Sequence, residues 1–160
     1  MIEKPRACKT AAEIEVGDEF RRPYTITDAD LAHFGAISGD WNPLHFDDAY
    51  ATGTMFGRRI AHGMISVAKF SGIFGMDLPG LGTLWETQEV RFLAPAYLDH
   101  PYTAVVRVTD KDRRRIMLDT WVEDADGTRI VDGKAVAIPI SEPVRRKLNG
   151  GAGWDGGASG

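Results

Sequence analysis

The chain has one cysteine, Cys8, in 160 residues. A single thiol closes no intramolecular disulfide and builds no cysteine zinc site, so the fold must be held by burial, and the composition suits a reducing cytoplasm. Long apolar runs are also missing. Nothing approaches the ~18 consecutive apolar residues that cross a bilayer, and Met1-Ile2-Glu3-Lys4-Pro5-Arg6 lacks the apolar stretch of a secretion signal. Positive charge is not in excess: 19 Lys and Arg stand against 23 Asp and Glu, a net charge of −4. That balance argues against nucleic acid or an anionic membrane as the main partner. The four histidines, at positions 33, 45, 62 and 100, show no HxH, HxxxH or HExxH spacing, so no metal is expected. Glycine-rich phosphate loops of the nucleotide-binding kinds are absent, and no cofactor is expected.

What is present fits one domain with a real core, since 43% of the residues are apolar. Residues 1–16 read as an N-terminal extension, 17–140 as the domain, and 141–160 as a flexible tail rich in glycine. Within the domain, Gly17 to Ile26 predicts a short strand. Thr27-Asp28-Ala29-Asp30 predicts a capped helix start, with Leu31, Phe34 and Ile37 at helical spacing and Gly39 as the stop. Asp47 to Ala51 predicts a helical turn. Ala61 to about Leu78 is nearly apolar all round and predicts a helix buried mid-domain, ended by Pro79-Gly80. Four stretches rich in Val, Ile, Thr and aromatics follow, at 83–93, 102–109, 116–123 and 128–138, and predict antiparallel hairpins. One buried helix followed by strands is an α+β architecture, a sheet wrapped around a helix. Its exposed edges predict dimerisation.

Two short stretches carry chemistry. Gly39-Asp40-Trp41-Asn42-Pro43-Leu44-His45 sets a carboxylate and an imidazole five residues apart across a proline. On a helix they would point away from each other. Pro43 makes Asn42 extended, so the segment reads as a loop that folds Asp40 and His45 toward one water. An ionised carboxylate and an imidazole of pKa about 6.5 can jointly hold and deprotonate that water. Asn42 and Pro43 brace the turn. Ile60-Ala61-His62-Gly63-Met64 opens the buried helix, where free N–H groups and the helix dipole favour a negative oxygen. Gly63 has no side chain to block close approach, and His62 either orients substrate or braces the loop. Ser71, two turns on, and Ser66 default to bonding a backbone carbonyl. Arg58-Arg59 and Arg113-Arg114 either face solvent or meet phosphates of a nucleotide-like ligand.

Residues 37–45, with Ala49 or Ala51, and Arg59 through Met64 continuing to Phe70-Ser71-Gly72, resemble the MaoC-like (R)-specific enoyl-CoA hydratases and 3-hydroxyacyl-CoA dehydratases. The likeness runs from about Gly17 to Ile140. It implies a hot-dog fold in which two protomers join their sheets as a homodimer or a larger assembly of dimers. It further implies Asp40 and His45 as the catalytic pair that adds water across an enoyl-CoA double bond, giving the (R)-3-hydroxyacyl thioester. Gly63 becomes the oxyanion donor and Ser71 a support for the pair. Trp41 and Trp85 stand near the implied acyl path and suggest a short or small branched acyl group, unless they only pack. A hot-dog thioesterase and a non-catalytic acyl-CoA-binding module are the competing readings.

Overall fold

The computed structural model describes residues 3–150. Five antiparallel strands, β1 (Glu19–Tyr24), β2 (Leu84–Phe92), β3 (Tyr102–Lys111), β4 (Ile116–Asp124) and β5 (Arg129–Ile138), form one sheet in the order β1-β3-β4-β5-β2. All five lie where the β-branched and aromatic stretches predict them. Alternation decides the layers. Ala104, Val106 and Val108 of β3 and Ile116, Leu118 and Val122 of β4 point to one face and are buried there. Trp121 points to the other, where Arg107 and Arg129 lie over its ring.

A long helix lies across the inner face. After two helices named α1 (Asp28–Ser38) and α2 (Pro43–Phe46) and a third, α3 (Asp48–Thr52), it is α4 (Gly63–Met76). Ile65, Phe70, Ile73 and Phe74 of α4 fill the space above the sheet. The helix is not covered all round: Met64, Ala68 and Ser71 are exposed on this protomer. An apolar stretch therefore marks a helix with one side against the sheet and another left open. That differs from the fully buried helix that composition alone suggests.

The α1–α3 segment overhangs the first turn of α4. Thr27 caps α1 by accepting from the Asp30 N–H while Asp30 accepts from the Thr27 N–H, and Gly39 ends it at φ +76°. That left-handed turn strains any residue with a Cβ, so the chain reverses there at glycine. Asp47 caps α3. Pro43 does not keep its segment a loop throughout. It opens α2 at the position where its missing N–H costs nothing, and Asn42 caps it by accepting from the Leu44 N–H at 3.0 Å.

The first part of the expected tail is ordered: a fifth helix, α5 (Glu142–Gly150), pairs Arg145 with Glu13 of the N-terminal extension at 2.6 Å. The glycine-rich run from residue 151 lies outside the described residues. Among those described, no helix is long and apolar enough to cross a membrane.

Candidate active site

The site forms where the overhang meets the start of α4. Asp40 leaves the Gly39 turn with its N–H donating to Ser38 Oγ at 3.1 Å and its Oδ1 accepting from the Asn42 N–H at 3.1 Å. These two short-range bonds aim the remaining oxygen, Oδ2, across the gap toward α2. His45 sits on α2, nearly buried, and its Nδ1 lies 2.8 Å from the Ile60 carbonyl. A carbonyl only accepts, so Nδ1 carries the proton and Nε2 presents a lone pair. Ile60 is itself held: it bridges Tyr97, and the neighbouring Ala61 N–H donates to the Ala96 carbonyl at 2.7 Å.

His45 Nε2 and Asp40 Oδ2 stand 3.8 Å apart. That is too far for a direct hydrogen bond and fits one water bonded to both at about 2.8 Å. The site thus offers a lone pair and a carboxylate to the same small volume. His45 is shielded, while the Asp40 side chain is 49% exposed and open to incoming solvent and substrate.

His62 completes the cluster. It precedes α4, is 4% exposed, and its ring stacks on His45 with centroids 3.8 Å apart. Its Nε2 lies 3.0 Å from the backbone carbonyl of Asp40. Burial pushes the His62 imidazolium below the ordinary histidine range. The bond to the Asp40 carbonyl opposes that shift and the neighbouring His45 reinforces it. Phe34 and Phe46 pack on the same ring. One donor atom each from Asp40, His45 and His62 lies within 4.8 Å of the others, the one such grouping among the described residues. The proton on His62 Nε2 faces the Asp40 carbonyl, so in this bonding pattern that nitrogen is not a ligand.

No side chain caps α4, a 14-residue helix; the Ile65 N–H donates back to the His62 carbonyl at 3.0 Å, and the Gly63 N–H is left open beside the cluster. Gly63 stands first. Its glycine has a packing reason that sequence reasoning missed: a Cβ there would come within 2.6 Å of the Phe92 ring. The alternation of β2 does not reveal it, because the contact joins segments far apart in the chain.

The other expected residues divide. Trp41 stays beside the site, its ring 5.1 Å from Phe46. Trp85 does not: it packs on Phe74, which lies eleven residues beyond Gly63 on α4, about 16 Å along the axis. Ser71 is exposed on α4, and its hydroxyl makes no hydrogen bond among the described residues. Ser66 is buried, and its partner is the Tyr24 hydroxyl at 2.9 Å rather than a backbone carbonyl. Arg58 lies over the Tyr97 ring, and Arg59 bridges Asp28 and Asp48 at 2.7 and 2.8 Å. Arg113 and Arg114 are exposed at the β3–β4 turn, lining a cleft of about 490 Å³ with Leu84 and Ile138. Leu84 begins β2 and Phe92, against Gly63, ends it, so on one protomer that turn lies at the opposite end of the sheet from Gly63.

A five-stranded antiparallel sheet wrapped on one long helix is the hot-dog architecture, here with a carboxylate and an imidazole overhanging the helix start. The comparisons narrow the class. Residues 9–125 match the family model described as MaoC like domain. The chain is 38% identical over 129 residues to the (R)-specific enoyl-CoA hydratase of Aeromonas caviae, covering 79% of this chain and 96% of that one. It is 32% identical over 145 residues to the 3-hydroxybutyryl-CoA dehydratase of Methylorubrum extorquens, covering 87% and 92%. The unliganded R-hydratase of Pseudomonas aeruginosa superposes with a TM-score of 0.79 at 39% identity, over 83% of this chain and 86% of that one. The chain belongs to the MaoC-like hydratase and dehydratase family and has its hot-dog fold.

Proposed function

We propose that the protein is a hydro-lyase that adds water to a trans-2-enoyl-CoA to give the (R)-3-hydroxyacyl-CoA, and catalyses the reverse dehydration. The observation that carries this reading is the 3.8 Å gap between Asp40 Oδ2 and His45 Nε2 beside the uncapped start of α4. The relatives' activities support it, and the reaction itself needs no redox group.

The thioester oxygen accepts from the Gly63 N–H, which draws electrons from C2=C3 and makes C3 electrophilic. Water bridges Asp40 and His45. As its oxygen bonds to C3, His45 Nε2 takes one of its protons, and the carboxylate steadies both the water and the new imidazolium. The pair then returns a proton to C2. Atoms and charge balance with water as the sole co-reactant. The (R) configuration rests on the relatives. Ser71 is assigned a supporting part and Asn42 the bracing of the turn.

Two protomers joining along β2 form the functional unit in this reading. That edge has no neighbouring strand among the described residues, and Leu84 and Phe92 at its ends are 65% and 52% exposed. Two-fold pairing of β2 runs antiparallel, so the Leu84 end meets the partner's Phe92 end. The Arg113 and Arg114 of one protomer then approach the other's site, where CoA phosphates need cations. Arg58 and Arg59 lie beside the protomer's own site. Trp41 narrows the acyl path and favours short chains, and the same pairing of β2 brings Trp85, next to Leu84, toward the partner's site. A cytoplasmic setting completes the reading, on the composition. A light-scattering mass of one protomer would remove the β2 dimer.

The test is turnover of crotonyl-CoA and longer enoyl thioesters, with chiral analysis of the product. Formation of the (R)-alcohol with no release of free thiol supports the proposal. Thiol release without hydration points to a thioesterase, and ligand binding without either reaction points to a binding module.

A further inference from the structure

Asp40 stands on an exposed turn, and two of its three anchors come from the turn itself: Ser38 Oγ and the Asn42 N–H. The third comes from outside. His62 Nε2 donates to the Asp40 carbonyl at 3.0 Å, and His62 is the residue immediately before Gly63. One imidazole therefore ties the loop that holds the carboxylate to the helix start that offers the oxyanion donor. The same ring packs on His45 with centroids 3.8 Å apart and the planes tilted by 30°.

Its other nitrogen is informative. Nδ1 is buried and has no hydrogen-bond partner. An unpaired acceptor in the interior is costly, and the structure keeps it. Protonating it would bury a second N–H with nothing to accept it, beside an imidazole that itself gains charge when it takes a proton. The titratable groups facing His62 are Asp40 and His45. Phe34 and Phe46 close the remaining sides with apolar rings. Lowering of its basicity by burial agrees with this geometry.

We infer that His62 is a positioning residue that stays neutral through the reaction, its Nε2–H fixing the Asp40 carboxylate in register with the Gly63 N–H while its ring backs His45. It deepens the hydratase reading and rests on it. His62 transfers no proton; it sets where the water stands relative to the thioester oxygen. Displacement of the loop by about 1 Å is enough to cost ~10²-fold in rate.

Two variants of the full chain separate the roles. His62→Phe keeps an aromatic ring and removes the donor. His62→Gln restores an amide N–H near the position of Nε2. His62→Phe is expected to lower kcat on crotonyl-CoA by ~10–10²-fold with KM changed less than about threefold, because the loop serves the water rather than substrate binding. His62→Gln is expected to recover most of that loss with the wild-type pH profile. Wild-type kcat in His62→Phe overturns the inference. So does a His62→Gln variant as slow as His62→Phe that has also lost one limb of the pH profile, since that marks a proton-transfer group.

Should the variants fail to fold, imidazole nitrogen NMR of the wild type decides. His62 should hold its Nε2–H neutral form across the pH range in which the enzyme turns over. Titration in that range, or a proton on Nδ1, overturns the inference. The spectrum needs no turnover, so the two failures are distinguishable. A wild type that hydrates no enoyl thioester sinks the hydratase reading, whereas a titrating His62 in an active enzyme sinks only the positioning role.

Discussion

The two ends of helix α4 are built to opposite rules. At its C-terminus the Ile73, Phe74 and Met76 carbonyls and the Asp77 carboxylate are all paired. Asp77, its side chain 1% exposed, takes Arg6 Nε at 2.6 Å and also binds Arg22, while the Met76 carbonyl accepts from the Arg6 and Ala7 N–H groups. A carboxylate at the negative end of a helix is unfavourable by itself, and the two arginines reverse the sign. At the N-terminus nothing caps the helix, His62 Nδ1 has no partner, and Asp40 and His45 face each other across an open gap. Completed polar groups hold the fold at one end. Incomplete ones, at the other, are available to a substrate. Stability and activity are therefore separable along a single element.

Substitutions can break that separation or sharpen it. The largest effect belongs to the open end. Asp40→Asn or His45→Gln is expected to lower kcat/KM on crotonyl-CoA by ~10²–10⁴-fold with an unchanged urea midpoint, read by kinetics and circular dichroism in parallel. A midpoint that falls with activity would mean that the pair also holds the fold.

At the closed end the pattern should invert. Asp77→Ala leaves two arginines facing each other and is expected to cost about 3 kcal/mol in urea unfolding, with kcat/KM of the folded enzyme within about threefold. Large loss of activity in folded Asp77→Ala would show that the ends are coupled.

Tyr24 gives a pH handle near the open end, through its bond to Ser66 one turn into α4. Burial pushes its phenol from 10 up to about 12. The folded state thus holds the proton more tightly than the unfolded chain. The resulting stability is present in full below pH 10 and is lost as pH rises through about 12. The loss is on the order of 2 kcal/mol. Tyr24→Phe should make that slope shallower in unfolding measured from pH 9 to about 12, with Tyr102, whose phenol burial also raises, keeping the remainder; an undiminished slope in Tyr24→Phe assigns it to another group.

The smallest expected change is Gly63→Ala. The added carbon meets the Phe92 ring at 2.6 Å, but that ring is half exposed and can swing away. About 1 kcal/mol of stability and roughly tenfold in kcat should go, because the helix start shifts with the ring. No change in kcat would separate the Gly63 N–H from the reaction.

The sequence carries much of this arrangement where the cause is local. Thr27, Asp30 and Gly39 bracket α1 by capping rules, and the five strands follow β-branched alternation. The Asp40 to His45 element stands out because few folds need that spacing across a proline. Other features depend on contacts between distant segments. Pro43 is legible as a restriction on Asn42, yet it also starts a helix, because its missing N–H suits the first helical position. The stacking of His45 on His62 joins residues from two elements, and no periodicity connects them. Ser66 and Ser71 are alike as lone hydroxyls in an apolar stretch until the fold decides that one meets Tyr24 and the other is exposed. Trp85 is aromatic in the same way as Trp41, but its strand carries it to the closed end of α4. Within the expected tail, residues 142–150 are helical, with Glu142 pairing Arg145 and Arg146 along the helix and Arg145 reaching Glu13, a partner more than a hundred residues away.

The claim at the centre is that Asp40 and His45 act on one water. The direct measurement is a double-mutant cycle on kcat/KM for crotonyl-CoA, using Asp40→Asn, His45→Gln and the double variant. Groups that act as a unit are not additive, so the double variant should be no slower than the slower single within about threefold. Losses that simply multiply would mean two independent sites of action, and would contradict the shared water.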